Sequence, residues 1–139
     1  MSFLIAIRNV FFISLIILTL TYKAFAKCED PAKPGVDWAG CDKVGSYLKD
    51  KDLRDANLQG ANLRQANFEG ANLSGANLNE AILLGANLEG ANLEGAIITS
   101  AFLTKALVAG IRLKGASLDN TYWVNGKKCK PGSIGKCIF

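Results

Sequence analysis

The chain has 139 residues, of which 16 are basic and 12 are acidic, so its formal net charge is +4. This excess is too small to indicate a nucleic-acid-binding protein. The sequence contains no histidine, which removes the commonest general base and a common metal ligand. A chain of this length with one array of repeats fits a single domain.

The first 26 residues have the pattern of a secretory signal peptide. Arg8 supplies the basic start, residues 10–20 are an apolar run, and an Ala-Phe-Ala cleavage site ends at Ala26. We therefore predict a mature protein that begins at Lys27. Removal of Arg8 and Lys23 would leave 14 basic and 12 acidic residues, a net charge of +2. The alternative is an uncleaved membrane anchor, for which the apolar run is short.

Residues 56–95 repeat the pattern Ala-Asn-Leu followed by two further residues, with Phe68 once in place of leucine and Ile82 once in place of asparagine. A period of five suits neither regular structure, because successive leucines would spiral around a helix and alternate between the two faces of a strand. The chain must therefore turn in every repeat, where glycine, asparagine or aspartate recurs. Equal turns between equal short segments predict a solenoid with its leucines stacked along one axis.

The frame Ala-(Asn/Asp)-Leu-x-Gly resembles the pentapeptide-repeat family. The resemblance implies an all-β fold, a right-handed quadrilateral parallel β-helix with four repeats per coil, in which the small residue and the central apolar residue of each repeat point inward. Extending the frame outward gives eighteen repeats over residues 36–125, or four to five coils. The first and last centres, Trp38 and Trp123, are expected to close the two ends rather than to form an aromatic ligand platform. The core centres of the regular part are Leu58, Leu63, Phe68, Leu73, Leu78, Leu88 and Leu93.

The predicted chain therefore has four parts. A signal helix (1–26) precedes an entry loop (27–35), the β-helix (36–125) and a C-terminal disulfide tail (126–139). The entry motif PGVDWxGCD and the tail motif CxPGSIGxC also look like segments that flank the repeats in exported members of the family.

Four cysteines behind a signal peptide predict disulfides, and four cysteines allow three connectivities. About four and a half coils at about 4.8 Å per coil make an array roughly 20 Å tall. The two Cα atoms of a disulfide, in contrast, lie within about 7 Å. Unless a tail runs the length of the solenoid, Cys28 pairs with Cys41 and Cys129 pairs with Cys137.

The outward position before each centre is almost always asparagine in the regular part of the array. Residues twenty apart stack on one face, which puts Asn72 under Asn92. Amide side chains in such a column can hydrogen-bond up the stack. We interpret the asparagines as a structural ladder that needs no ligand.

One outward column is apolar. Ile82, Phe102 and Tyr122 lie twenty residues apart, and Leu84 and Val124 join the same face. A contiguous apolar patch of this kind requires either a cover or a partner. The tail could turn back after Val124 and cover the patch with its own apolar side chains, which is the option we favour. Alternatively, the patch could be an interface with a protein partner or a second copy.

No set of residues in the sequence meets the requirements of a catalytic or metal site. The tail segment Gly-Ser-Ile-Gly is not a nucleophile elbow, and the chain offers no histidine to activate a serine. The acidic cluster Asp50, Asp52 and Asp55 lacks the glycine and terminal glutamate of an EF-hand loop and is interleaved with basic residues. We predict no enzymatic activity, no cofactor and no metal.

Some cytoplasmic members of the pentapeptide-repeat family resemble DNA in shape and charge and bind topoisomerases. The predicted export of this chain and the mixed signs of columns such as Lys49, Glu69 and Glu89 argue against a DNA mimic. We predict a periplasmic or secreted structural or protein-binding scaffold, without nucleic-acid binding and without membrane binding after cleavage. The alternative is a cytoplasmic topoisomerase-binding DNA mimic.

Overall fold

The computed structural model describes residues 27–139, and the predicted signal peptide (1–26) lies outside the described residues. Residues Pro31–Phe139 form one compact unit. Within the described part of the chain, helical backbone is limited to Lys27 and Cys28. The remainder is built from turns and isolated β-bridges.

The backbone pairs with itself in a constant register of twenty residues. Parallel bridges join the residue before each repeat centre to the residue twenty positions later, from Asp37 with Asn57 up to Phe102 with Tyr122. Twenty residues are four five-residue repeats, so the chain forms a parallel β-helix with four repeats in each coil. The bridges are isolated rather than parts of extended strands, because two turn residues follow every three residues of straighter chain.

A tight turn forms each corner of the coil. At one corner the N–H of Ala86 donates to the carbonyl of Leu83 at 3.0 Å, and Gly85 has a φ of +66°. Glycine adopts this left-handed conformation without steric cost. Glu80 and Lys105 adopt it too, with φ values of 61° and 63°. The turn geometry is therefore kept even where the frame lacks glycine.

The interior is a continuous apolar column. Every repeat centre from Leu53 to Leu103 has no exposed area, and the alanines two positions before the centres from Leu58 to Leu103 are at most 1 % exposed. Side chains of adjacent coils thus stack directly on one another, as the period of five predicts. The seven predicted core centres all have 0 % exposure: Leu58, Leu63, Phe68, Leu73, Leu78, Leu88 and Leu93.

At the N-terminal end of the column, Trp38 is almost completely buried, with 2 % exposure. Lys43 occupies an inward centre, and its Nζ atom lies 4.2 Å from the centroid of the Trp38 ring. A cation over an indole face is a favourable contact. The array therefore accommodates a basic residue at an inward position by placing its charge against the aromatic cap.

The tail, residues 126–139, closes the C-terminal end by pairing antiparallel with the last coil. Ile134 pairs with Ser117, and Lys128 pairs with Tyr122. The N–H of Leu118 donates to the carbonyl of Ser133 at 2.8 Å. An uncovered last coil would present a row of unpaired backbone groups, which is a template for association with other chains. The tail satisfies part of that row.

The tail pairs with only two of the four sides of the last coil. The repeat centres Val108 and Leu113, on the other two sides, are consequently half-buried. Trp123, the predicted C-terminal cap, is also only half-buried. It is therefore a less complete cap than Trp38.

Candidate interaction surface

The predicted apolar column lies on one side of the solenoid. We call it the apolar face and define it by Ile82, Leu84, Phe102, Thr104, Tyr122 and Val124. Parallel bridges join Ile82 to Phe102 and Phe102 to Tyr122. The rings of Phe102 and Tyr122 stack with centroids 5.1 Å apart and planes 5° apart, and these two residues are 39 % and 37 % exposed. The register of the fold thus brings the five predicted interface residues together on one surface.

The apolar face has two rows of side chains. The first row, Ile82, Phe102 and Tyr122, occupies the bridge positions along the middle of the side. The second row, Leu84, Thr104 and Val124, occupies the first turn position at the corner, where all three residues are half-buried. The first row carries the two aromatic rings, and Thr104 and Val124 in the second row are smaller than the rings beside them, whereas Ile82 and Leu84 are equal in size.

The expectation that the tail covers the apolar face is wrong. The apolar tail residues Ile134, Ile138 and Phe139 are 55 %, 42 % and 50 % exposed. The tail side chain placed on the face is that of Lys128, whose Nζ atom lies 5.8 Å from the centroid of the Tyr122 ring. The tail follows the unpaired backbone of the last coil, so it lies above the apolar face rather than across it.

Charged residues border the apolar face on both edges. Glu80 lies at the corner that precedes Ile82, and Lys105 lies at the corner that follows Thr104; both are exposed. Arg64 lies one coil below Leu84 and donates to the side-chain oxygen of Asn62 at 2.6 Å. The two edges of the face therefore carry opposite charges.

The asparagine columns form an amide ladder only in part. Asn92 donates to the side-chain oxygen of Asn72 at 3.2 Å, as the twenty-residue stacking predicts. Most asparagine oxygens instead accept a local bond from the backbone two residues later, as Asn67 does from Glu69 at 2.9 Å. This side-chain bond supports the turn at the corner. It explains why asparagine precedes so many of the repeat centres.

Outward charges pair along and between coils. Lys49 contacts Glu69 at 2.9 Å and Arg54 contacts Asp52 at 2.7 Å. The hydrogen bond to Glu69 raises the pKa of Lys49, and the hydrogen bond from Arg54 lowers the pKa of Asp52. All four side chains are solvated, so these pairs contribute little stability. They also break up any continuous surface of one sign on these sides.

Cys129 and Cys137 form a disulfide with their Cα atoms 5.1 Å apart. Cys28 and Cys41 are disulfide-bonded as well, so residues 27–139 contain no free thiol. The bond between Cys129 and Cys137 excludes a connectivity in which either of these tail cysteines is linked to the N-terminal end.

Inside the tail loop, Ser133 is completely buried. Its hydroxyl donates to the carbonyl of Lys130 at 2.7 Å and accepts from the N–H of Ile138 at 3.0 Å, while its own N–H donates to Asp119 at 2.9 Å. Sequence reasoning missed Ser133 and Asp119. The available signal was a serine in a Pro-Gly-Ser turn between two cysteines, a position where a hydroxyl can satisfy backbone groups.

Residues 27–139 contain no group of three or more histidine, cysteine, aspartate or glutamate side chains placed to hold a metal ion. In the same range, no helix has both the length and the apolar character needed to cross a membrane.

A family model described as pentapeptide repeats matches eight copies in this chain, over residues 44–75, 52–83 and 71–108. A search of curated proteins gave no significant match.

Three solved structures of pentapeptide-repeat proteins are similar to it. The protein from Nostoc Pcc 7120 is 32 % identical, with 72 % of this chain and 77 % of that chain covered and a TM-score of 0.56. The protein from the cyanobacterium Cyanothece 51142 is 39 % identical, with 68 % and 67 % covered and a TM-score of 0.53. The protein of the Arabidopsis thaliana thylakoid lumen is 34 % identical, with a TM-score of 0.53. The match covers 63 % of this chain and 65 % of the Arabidopsis chain, which is less than two thirds of that relative.

Proposed function

Because the chain belongs to the pentapeptide-repeat family, we propose that it is an exported, non-enzymatic scaffold that binds a protein partner through the apolar face. The observation that carries this proposal is the pair of stacked, partly exposed rings of Phe102 and Tyr122. Aromatic side chains are enriched among the residues that dominate binding energy at interfaces. A contiguous apolar surface that its own chain leaves uncovered is typical of an interaction site.

The backbone under the apolar face is held in place before any partner arrives. Bridges to the neighbouring coils fix the first-row residues, with the tail in place of the upper coil at Tyr122, and the second-row residues lie in hydrogen-bonded turns. Side chains and loops that become ordered on binding cost free energy and so weaken the association. A face built on stacked coils keeps that cost low, which suits a protein whose activity is to present a surface.

Three observations support export. The first 26 residues carry a signal-peptide pattern, the four cysteines are disulfide-bonded, and one similar structure is that of a thylakoid-lumen protein. Disulfides form and persist in oxidising compartments such as the periplasm or the cell exterior. A periplasmic or secreted location follows for the mature protein.

Export predicts a mature chain that begins at Lys27. We expect the intact mass of the protein purified from the cell envelope or medium to match residues 27–139 with two disulfides. Replacing the small residues of the cleavage site, Ala24→Arg with Ala26→Arg, should block processing and leave the full-length chain. A full-length chain in the membrane fraction of the unsubstituted protein would contradict cleavage and favour the anchor.

A topoisomerase-binding DNA mimic is the alternative function. Such a protein needs a contiguous negative surface. In this chain, Glu69 is paired with Lys49, and Glu94 lies 3.7 Å from Arg112. These pairings favour the scaffold over the mimic.

Site-specific photocrosslinking tests the partner-binding role. Leu84→p-benzoylphenylalanine places a photoreactive group on the apolar face, and Ser74→p-benzoylphenylalanine places it at the equivalent turn position of a polar side as a matched control. In intact exporting cells we expect crosslinked adducts from the Leu84 variant and none from the Ser74 variant. An equal yield from both positions, or no adduct at Leu84, would contradict binding through this face.

A further inference from the structure

We propose that the partner of the apolar face is a second copy of this chain, bound face to face about a two-fold axis parallel to the solenoid axis. The inference rests on the proposed function, because it names the occupant of the same face. Two features carry it: the unequal size of the two rows of side chains, and the opposite charges at the two edges.

A rotation about an axis parallel to the solenoid keeps every residue at its own height and exchanges the two edges of the face. When the axis lies over the line between the two rows, the first row of one copy meets the second row of the other. Phe102 then lies against Thr104 of the other copy, and Tyr122 lies against its Val124. At these two levels a large aromatic side chain is placed opposite a smaller one, which favours close packing, and at the lowest level Ile82 meets Leu84 in an apolar contact.

The same rotation brings the two charged edges together. Glu80 of one copy meets the edge that carries Lys105 in the other copy. Lys105 lies one coil higher than Glu80, a difference of about 4.8 Å that a lysine side chain can span. Within residues 27–139, Glu80 and Lys105 take part in no ion pair. Two-fold symmetry makes two such pairs per dimer. Arg64 of one copy lies opposite the row that carries Asn62 in the other copy. Asn62 is also the hydrogen-bond partner of Arg64 within one copy, so no cation opposes Arg64 in the dimer.

The other two-fold arrangement, with the axis across the coils, fits less well. In this arrangement each edge faces the same edge of the other copy, so the two Lys105 side chains lie opposite one another at the same height. It also sets the aromatic row against the aromatic row and the small row against the small row. Like charges and mismatched sizes both weaken an interface.

The dimer should be weak. The apolar face spans three coils, a height of about 14 Å at about 4.8 Å per coil. A stable interface commonly buries about 800 Å² on each partner, and a patch this small falls short of that area. We therefore expect a monomer–dimer equilibrium in the micromolar range rather than a permanent dimer. Lys128 lies above Tyr122 at the end of the patch, at the same height as Lys128 of the other copy. Added salt screens the repulsion between these two cations.

Sedimentation velocity of the purified protein over a range of micromolar concentrations tests the inference. Glu80→Lys and Lys105→Glu should each weaken self-association by roughly tenfold, because each reversal sets like charges together twice in a symmetric dimer. The double variant should restore the affinity of the unsubstituted protein. Leu107→Asp changes an apolar side chain that is 52 % exposed on a neighbouring side, so it is the control and should leave the dimer unchanged. Phe102→Asp should abolish it.

Each other result overturns the inference. A monomer at all concentrations excludes the second copy, and the proposed function then survives only if the Leu84 crosslink gives an adduct with a different protein. A dimer that Phe102→Asp leaves intact uses another surface. If the two charge reversals weaken the dimer singly and the double variant does not restore it, the parallel axis is wrong. Thermal unfolding of each variant, expected to match the unsubstituted protein, shows that the effects are not losses of fold.

Discussion

Leu73→Ala should lower the free energy of unfolding by about 2–5 kcal/mol, because it opens a cavity in a column that cannot collapse to fill it. Leu73 has no exposed area and stacks between Leu53 and Leu93, which are equally buried. The backbone on both sides is fixed by the bridge of Asn72 to Asp52 below and to Asn92 above. The coils therefore have little freedom to move inward.

Thermal and urea unfolding measure the Leu73→Ala effect. We expect the melting temperature to fall by roughly 10 °C or more. Leu107→Ala is the control, since this side chain points outward and is 52 % exposed; its effect should stay within about 0.5 kcal/mol. A Leu73→Ala protein as stable as the unsubstituted one would mean that the centre of the repeat does not form the core.

The core could be read from the sequence because one rule fixes it. Once the period of five has set the phase at a few leucines, the same phase gives every buried centre from Leu53 to Leu103. The number of sides could not be read this way. Three or four equal turns per coil would both stack the leucines, and only the family resemblance gave the twenty-residue register that joins Ile82 to Phe102.

The path of the tail could not be predicted, because hydrophobicity does not decide it. The apolar residues of the tail suggested that it would cover the apolar face. Its path instead follows the backbone groups of the last coil, such as the N–H of Leu118, which bonds to Ser133. An unpaired backbone group that is shielded from water costs more than an exposed apolar side chain. Sequence patterns record side chains and do not show where such groups remain unpaired.

The tail pairs with the open end of the β-helix, which limits the growth of the ladder into other chains. The sides of the solenoid remain free, and on one of them the aromatic row is left uncovered. End closure thus favours association through a side, where the partner is selected by side chains, over association through backbone edges, which is unselective.

The second large effect is expected when the tail loses its disulfide through Cys129→Ser with Cys137→Ser. Closing this loop contributes about 3 kcal/mol by chain entropy. The loop holds Ser133 in its buried position, where the serine carbonyl accepts from Leu118 and the hydroxyl bonds to Lys130. Without the bond the tail should fray from the last coil, and the exposed edge should associate with other chains on standing.

Urea unfolding and light scattering measure the two parts of this effect, and peptide mapping without reduction should show one remaining link, between Cys28 and Cys41. Lys136→Ser is the control, because it alters an exposed residue of the same loop and keeps the disulfide. Stability and solubility equal to those of the unsubstituted protein would mean that hydrogen bonds alone hold the tail. A fall in stability without association would mean that the last coil needs no cover. Loss of both stability and solubility would mean that the tail keeps the end of the β-helix closed, so that partners bind through the side of the β-helix.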